Sequence, residues 1–362
     1  MLAAGLVTAL LAAGPPTVDI AVDRRIGTRE ATAVLRAPGY EGEVAIRTRG
    51  RWSRRFPKKS YRVETREDAS LLGLPADDDW ILYAAWNDRT LIRNVLAYDT
   101  ARWMGRYAAR TRFVELTLNG RYRGVYVLME RLELHDERVR GDFLLEMTSP
   151  GQAERKDPSF RTPVARRPVV WEDPERGDLK RRRAAAIQRR VSRLERALYH
   201  GPPGAWRRHL HAGAAVDFLL VNELFKNQDV MEASTFMTGA GGTLRLGPVW
   251  DFDFSSGNSK RAPSRFLAGW TAAQRPWASR LYADRAFMRH MGRRWAELRR
   301  AGLRGRLLRA VDDYGRALAP AARRDSARWP AGGERPRGTR DGHLRALRRW
   351  LDRRIDWLDG NL

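Results

Sequence analysis

The spacing of apolar residues changes along the chain, and this change constrains the fold more than any other feature. Between residues 17 and 134 apolar and polar residues alternate, as at Val44 and Ile46, which is typical of strands with one buried face. Beyond Leu179 the apolar residues recur at helical spacing instead. We therefore predict an α+β chain with an N-terminal apolar segment 1–16, a strand-rich lobe 17–134 and a mostly helical lobe 135–362.

Turn and capping residues locate the clearest elements. Asn119-Gly120 lies between two apolar strands, 113–118 and 124–129, and supplies the positive φ angles of a tight hairpin turn. A helix is predicted over 90–104, with Gly105 as its C-cap. Further predictions are helices over 181–199, 214–225, 285–318 and 343–358, a hairpin of 235–238 with 243–246, an exposed loop over 150–180 and a loose connection over 328–342.

Composition excludes several classes of protein. Lys and Arg number 68 against 43 Asp and Glu, which gives a formal charge of +25, and there is no cysteine. Disulfides, Cys–zinc sites, iron–sulfur clusters and thiol catalysis are therefore excluded. No apolar run reaches the roughly 18 residues of a membrane-spanning helix. The apolar run 2–14 has the length of a signal-peptide core, so we expect export or a cell-surface location, and a cytoplasmic one if the run is an ordinary segment.

A basic segment precedes the strand that contains Tyr61. Arg49, Gly50 and Ser53 offer backbone N–H groups and charge to an anion such as phosphate, and the adjacent Lys58 and Lys59 stand out in a chain that otherwise uses arginine. The alternative is a solvated basic entry to a strand.

Two acidic positions follow in the helical half. Asp229 comes just after the apolar helix 214–225, in a predicted short loop where capping and turn formation are the alternative. Asp251 and Asp253 are two residues apart in a predicted extended segment, so they would point to one side and suit Mg²⁺. The alternative for this pair is surface acids on an edge strand.

The order of these parts is that of a protein kinase. A lysine-bearing strand is followed by a helix, a hairpin, a loop aspartate, a second hairpin and a strand-end aspartate. The chain also resembles the spore-coat-protein-H (CotH) kinase family, a family of atypical protein kinases, over about 40–360. The segments that carry the resemblance are 49–61, 71–82, 88–94, 118–130, 222–229, 247–253 and 350–358.

The resemblance implies a two-lobed, atypical protein-kinase-like fold and a phosphotransferase site. Lys59, or its neighbour Lys58, would hold the nucleotide phosphates, and Asp229 would act on the acceptor hydroxyl. Asp251 would bind the metal, with Asp253 as the competing ligand. The last two members of the implied site are Glu130, either near the adenine or paired with a lysine, and Ser234, which stands where kinases generally place a metal-binding asparagine.

We therefore expect an ATP-dependent Ser/Thr kinase that uses Mg²⁺ or Mn²⁺ and acts on a secreted or surface protein, with acidic or pre-phosphorylated substrates favoured by the basic helices. We expect a monomer without a stable nucleic-acid partner. The alternatives are a non-catalytic surface protein with the same fold, and a basic nucleic-acid-binding protein.

Overall fold

A computed structural model describes residues 13–51, 53–151, 158–259, 264–332 and 335–362. Most of the predicted N-terminal apolar segment 1–16 lies outside the described residues. Within these ranges no helix is long and apolar enough to cross a bilayer. The chain divides into two compact units. Unit 1 comprises Met1–Val95, Ala109–Arg131 and Arg309–Arg348, and unit 2 comprises Leu96–Ala108, Leu132–Leu308 and Arg349–Leu362.

Seven strands of unit 1 form a closed barrel. They are β1 Thr17–Ala21, β2 Ala31–Ala37, β3 Tyr40–Arg49, β4 Ser60–Ala69, β5 Asp77–Tyr83, β6 Thr111–Leu118 and β7 Arg121–Glu130. Their order is β1-β2-β3-β4-β5-β7-β6, and β1 closes the barrel by pairing parallel with β6. Because side chains alternate across each strand, Val18, Ile46 and Trp80 lie in the core. The strand-rich character predicted from the alternating pattern is confirmed.

The hairpin of β6 and β7 has the predicted two-residue turn. Leu118 pairs with Arg121, and Asn119 and Gly120 have φ angles of 49° and 69°. The Asn119 side chain also accepts a hydrogen bond from Val22 N at 2.8 Å and donates one to Val22 O at 2.7 Å. One residue therefore forms the turn and fixes the chain after β1.

Helical residues near the C-terminus complete unit 1. Helix α7, Ala319–Arg328, packs on β7, and Trp329 donates from its indole nitrogen to Arg123 O at 2.7 Å. The predicted boundary at 134 assigned this segment to the helical lobe, whereas its contacts group it with the barrel. No local sequence pattern records such a contact, because the partners are about two hundred residues apart.

Unit 2 contains a five-stranded sheet in the order β12-β11-β8-β10-β9. The strands are β8 Leu144–Met147, β9 Ser159–Arg161, β10 Pro168–Asp173, β11 Thr235–Ala240 and β12 Thr243–Leu246. The hairpin of β11 and β12 is confirmed. The prediction of an exposed loop over 150–180 is wrong for β10, whose residues Val169 and Trp171 are buried. The apolar run of this strand is short, begins with Pro168 and is surrounded by charged residues, so the sequence pattern predicted a loop.

The helices follow the predicted order. They are α1 Arg93–Trp103, α2 Arg181–His200, α3 Ala212–Phe225, α4 Ala278–Tyr282, α5 Arg285–Arg300, α6 Leu303–Ala317, α7 as given above and α8 Arg340–Asp359. Gly105 follows α1 with φ 84° and caps it as predicted, and Gly302, with φ 88°, separates α5 from α6. Helix α3 is buried from Ala214 to its end, so it forms the centre of unit 2.

Candidate active site

The basic loop, residues 50–59, connects β3 to β4 in unit 1. Gly50 has φ 95°, and a Cβ at this position would lie 1.9 Å from Ser53 Oγ, so the loop requires glycine. Ser53–Arg55 form one 3₁₀ turn. Arg49 pairs with Ser60 across the base of the loop. Arg49, Gly50 and Ser53 therefore lie on one loop, as predicted, while Trp52 lies outside the described residues.

The two neighbouring lysines have different environments. Lys58 is buried, and its Nζ donates to Val125 O at 2.5 Å and to Asp325 Oδ1 at 2.7 Å. Lys59 is only partly buried, and its Nζ donates to Arg54 O at 2.6 Å. The ammonium of Lys58 therefore belongs to the interior of unit 1, whereas that of Lys59 lies on the basic loop.

Asp325 organises the interior around Lys58. Its Oδ1 also accepts from Val125 N at 3.0 Å, and its Oδ2 accepts from Arg335 Nη2 at 2.7 Å. The charges of Lys58 and Arg335 lower the pKa of Asp325 despite its burial. Burial and the charge of Arg335 lower the pKa of Lys58, although the carboxylate of Asp325 opposes this shift. No sequence pattern indicated this partner of Lys58, which lies 267 residues further along.

Glu130 ends β7 and is fully buried. Its Oε1 lies 2.8 Å from Arg110 Nε, and its Oε2 accepts from Arg110 N at 2.7 Å. Both oxygens of the carboxylate thus contact Arg110, the residue before β6. The resemblance implied either a position near the adenine or pairing with a lysine, and the ionic partner of Glu130 is an arginine instead.

In unit 2, Asp229 lies in a short turn after α3. Lys226 has φ 49° and caps the helix, and its backbone N–H reaches back to Asn222 O and Glu223 O. Asp229 N donates to Asn227 Oδ1 at 3.1 Å, and Asp229 O accepts from Ala233 N at 2.9 Å. The predicted loop position of Asp229 is confirmed.

The segment that holds Asp251 and Asp253 is not a strand, so the prediction of an extended pair is wrong. Asp251 has φ 57°, a left-handed conformation that ends the alternation of side chains. Phe252 between the two acids is buried and contacts Phe225 and Tyr98 edge to face. Burial of this ring, rather than strand pairing, therefore sets the backbone here.

Two hydrogen bonds join the Asp229 turn to the Asp251 segment. Asn227 Nδ2 donates to Trp250 O at 3.3 Å, and Ser256 N donates to Phe225 O at 2.6 Å. Asp229 and Asp251 therefore lie on adjacent, connected loops. Ser234 is positioned by another partner, since its backbone N–H donates to Glu146 Oε1 at 3.2 Å.

A buried ionic network that sequence reasoning missed supports the end of α3. Glu223 accepts from Thr271 N at 2.9 Å, Ala272 N at 2.7 Å and Arg354 Nη2 at 3.1 Å. Lys226 Nζ donates to Ala268 O at 2.7 Å. Burial and the charge of Arg354 lower the pKa of Lys226 to about 8, and burial lowers the pKa of Arg354 to about 10.

The acidic residues fit a metal only together with oxygens from a ligand. In the described part of the chain, no group of three His, Asp or Glu side chains is arranged to hold a metal ion. Mg²⁺, however, commonly takes one or two carboxylates and completes its shell with water and substrate phosphate. Two carboxylates, such as those of Asp251 and Asp253, are what such a site would require from the protein when a nucleotide supplies the remaining oxygens.

Comparison with known proteins identifies the family of the chain. The model of a family described as CotH kinase protein matches residues 46–358, which is most of the chain. No curated protein matches it. The matched range contains the basic loop, Asp229 and Asp251.

Proposed function

We propose that this chain, which belongs to the CotH kinase family, transfers the γ-phosphoryl group of ATP to a hydroxyl group of a protein. The observation that carries the proposal is the family match over residues that include Asp229 and Asp251, on loops joined by the hydrogen bond from Asn227. We further propose that units 1 and 2 correspond to the strand-rich and helical lobes of an atypical protein kinase. The closed barrel of unit 1 differs from a typical kinase lobe.

In this proposal Lys59, rather than Lys58, contacts the nucleotide phosphates. The ammonium of Lys58 donates to Asp325 and Val125 O, whereas Lys59 lies on the basic loop with Gly50 and Ser53. A lysine on such a loop offers a mobile point charge to phosphate oxygens. Arg49 at the base of the loop adds positive charge. Of the two alternatives for Glu130, we propose a position near the adenine, at the buried end of β7.

Asp229 orients the acceptor hydroxyl and takes its proton as the oxygen bonds to phosphorus. Asp251 and Asp253 would hold Mg²⁺ or Mn²⁺, and Ser234 would add a weaker oxygen ligand. The metal, when bound, neutralises charge on the phosphate oxygens. Asn227 supports this arrangement by tying the two loops together, and Glu223 and Arg354 hold the end of α3 beneath them.

The proposed substrate is an acidic or pre-phosphorylated Ser/Thr protein outside the cell or on its surface. Support comes from exposed arginines at the start of α2, Arg181, Arg182 and Arg183. Guanidinium groups bind carboxylates and phosphates through two hydrogen bonds, which favours substrates of this kind.

Thermal unfolding with and without ATP and either metal tests the nucleotide site without a known substrate. Ligand at ~100 times its Kd adds about 2.7 kcal/mol, which raises Tm by a few degrees. We expect this metal-dependent rise for the wild type and for Asp178→Ala, an exposed control in unit 2, and its loss in Asp251→Ala.

Transfer itself is measured with γ-labelled ATP and an acidic protein such as casein, or with the chain as its own acceptor. We expect Asp229→Asn to retain the thermal shift and lose the label. A wild type without shift or label under either metal would leave the non-catalytic surface protein as the better hypothesis.

A further inference from the structure

Unit 1 contains buried arginines that outnumber the carboxylates paired with them among the described residues. Arg89 and Arg335 are 7% and 2% exposed, and Trp86 beside them is 8% exposed. The guanidinium carbon of Arg335 lies 5.4 Å from the centre of the Trp86 ring. We call Arg89, Arg335 and Trp86 the arginine cluster.

Most of the donors in the arginine cluster make no hydrogen bond to the residues that the structure describes. Arg335 Nη2 donates to Asp325 Oδ2 at 2.7 Å, and Arg89 Nη2 lies 3.4 Å from Gly338 O. Among the residues that the structure describes, no acceptor forms a hydrogen bond with Nε or Nη1 of Arg89, Nε or Nη1 of Arg335, or Nε1 of Trp86. Five buried N–H-bearing atoms therefore make no hydrogen bond within the described part of the chain.

The charges are also unbalanced. Among the described residues, Lys58, Arg89 and Arg335 give three positive charges, and Asp325, which pairs with Lys58 and Arg335, gives one negative charge, which leaves an excess of two. Asp88 is already paired with Arg93. Burial and the charge of Arg335 lower the pKa of Arg89. Arg340 adds a further buried cation close by, with Nε and Nη2 also lacking acceptors in the described part of the chain.

Water alone does not resolve this arrangement. Ordered water can accept hydrogen bonds from buried N–H groups, but it supplies no negative charge, and an unneutralised buried charge is costly. A phosphate group supplies both, because its oxygens accept several hydrogen bonds and guanidinium groups bind it through two donors at once.

We propose that the arginine cluster binds a phosphate group, as a second anion site in addition to the nucleotide site proposed for Lys59. The carboxylate of Asp325 connects this site to Lys58, because it accepts hydrogen bonds from both Lys58 and Arg335. A phosphate bound there neutralises the charge of Arg335 and so strengthens the ion pair between Asp325 and Lys58, next to the basic loop. The bound group comes either from free inorganic phosphate or from a nucleotide.

Isothermal titration of the full chain with inorganic phosphate, in chloride buffer of constant ionic strength and without metal, tests the site directly. We expect saturable binding by the wild type. We expect binding weakened about ten-fold or more in Arg89→Gln, since this variant loses charge-assisted hydrogen bonds to the phosphate. We expect unchanged binding in Arg309→Gln, which replaces an exposed arginine of unit 1. Absence of phosphate binding by the folded wild type would overturn the proposal.

Thermal unfolding separates binding from a structural role. Without phosphate, Arg89→Gln should match or exceed the Tm of the wild type, because it removes an unbalanced buried charge, whereas phosphate should raise only the wild type. An equal loss of Tm in both buffers would show a purely structural arginine and overturn the site. If Arg89→Gln does not fold, Trp86→Phe, which removes the indole N–H but keeps a ring, should still bind phosphate less tightly.

Two further arms identify what neutralises the cluster. Glu334 is next to Arg335 in the sequence and lies outside the described residues. Phosphate binding by Glu334→Gln together with none by the wild type would identify Glu334 as the counter-charge and overturn the proposal. If metal-free ATP displaces inorganic phosphate, the site is confirmed and the bound phosphate group belongs to a nucleotide. Simultaneous binding of both would confirm it with free phosphate as the source and leave the nucleotide site to be judged separately.

Discussion

Replacing Asp325 by asparagine should destabilise unit 1 by about 3–5 kcal/mol, the range for one partner removed from a buried ion pair. The carboxylate is 1% exposed and accepts from Lys58 Nζ and Arg335 Nη2, both at 2.7 Å. Two charge-assisted hydrogen bonds of about 1.5–3 kcal/mol each are lost or weakened, whereas the amide oxygen can keep the bond from Val125 N. Bond energies and the buried-pair range therefore agree.

Denaturant unfolding of wild type and Asp325→Asn measures this difference, with fluorescence and circular dichroism followed together because the two units need not unfold as one. Asp313→Asn is the matched control in unit 1, since Asp313 pairs with exposed Arg316 one helical turn away, and exposed pairs contribute about 0–1 kcal/mol. Phosphate is omitted so that anion binding does not compensate. A loss below about 1 kcal/mol for Asp325→Asn would refute the reasoning.

Other substitutions test other parts of the structure. Because the pKa of Asp325 is lowered, its contribution should be complete above the ordinary carboxyl pKa of 3.8 and disappear as the pH falls below it, which acid titration of stability measures. Lys226, with a pKa of about 8, loses its proton earlier in the folded chain, so stability should rise between about pH 8 and 10 in wild type but not in Lys226→Met. Glu223→Gln leaves Arg354 buried and should cost about 3–5 kcal/mol by denaturant unfolding. Gly124→Ala should cost about 2–4 kcal/mol in the same assay, because φ is 100° and the new Cβ would lie 2.3 Å from Asp325 Oδ1; an unchanged stability would contradict the close approach.

Local patterns predicted local structure. The hairpin of β6 and β7 was predictable because Asn119 and Gly120 adopt the positive φ angles whatever surrounds them. Helix α3 was predictable because a continuous apolar run of that length favours a buried helix. β10 was missed because three apolar residues inside a charged, proline-containing stretch do not form a recognisable period.

The positions of the candidate site residues were predictable only in part. Asp229 stayed in its loop because the turn is specified by neighbouring residues. Asp251 does not lie in the predicted strand because burial of Phe252 determines the backbone conformation there. This packing involves Phe225 at the end of α3. The distinction between Lys58 and Lys59 depends on Asp325, a partner that no local pattern can locate.

The division of the chain has a consequence for its synthesis and handling. Unit 1 takes its residues from three separate stretches, the last of which ends at Arg348, and unit 2 likewise includes the final residues from Arg349 to Leu362. Neither unit can be produced by cutting the chain once, and Lys58 must wait for Asp325 to emerge from the ribosome. Both units of a nascent chain therefore stay incomplete until the segments 309–348 and 349–362 have been synthesised, which exposes the earlier segments to chaperones for longer.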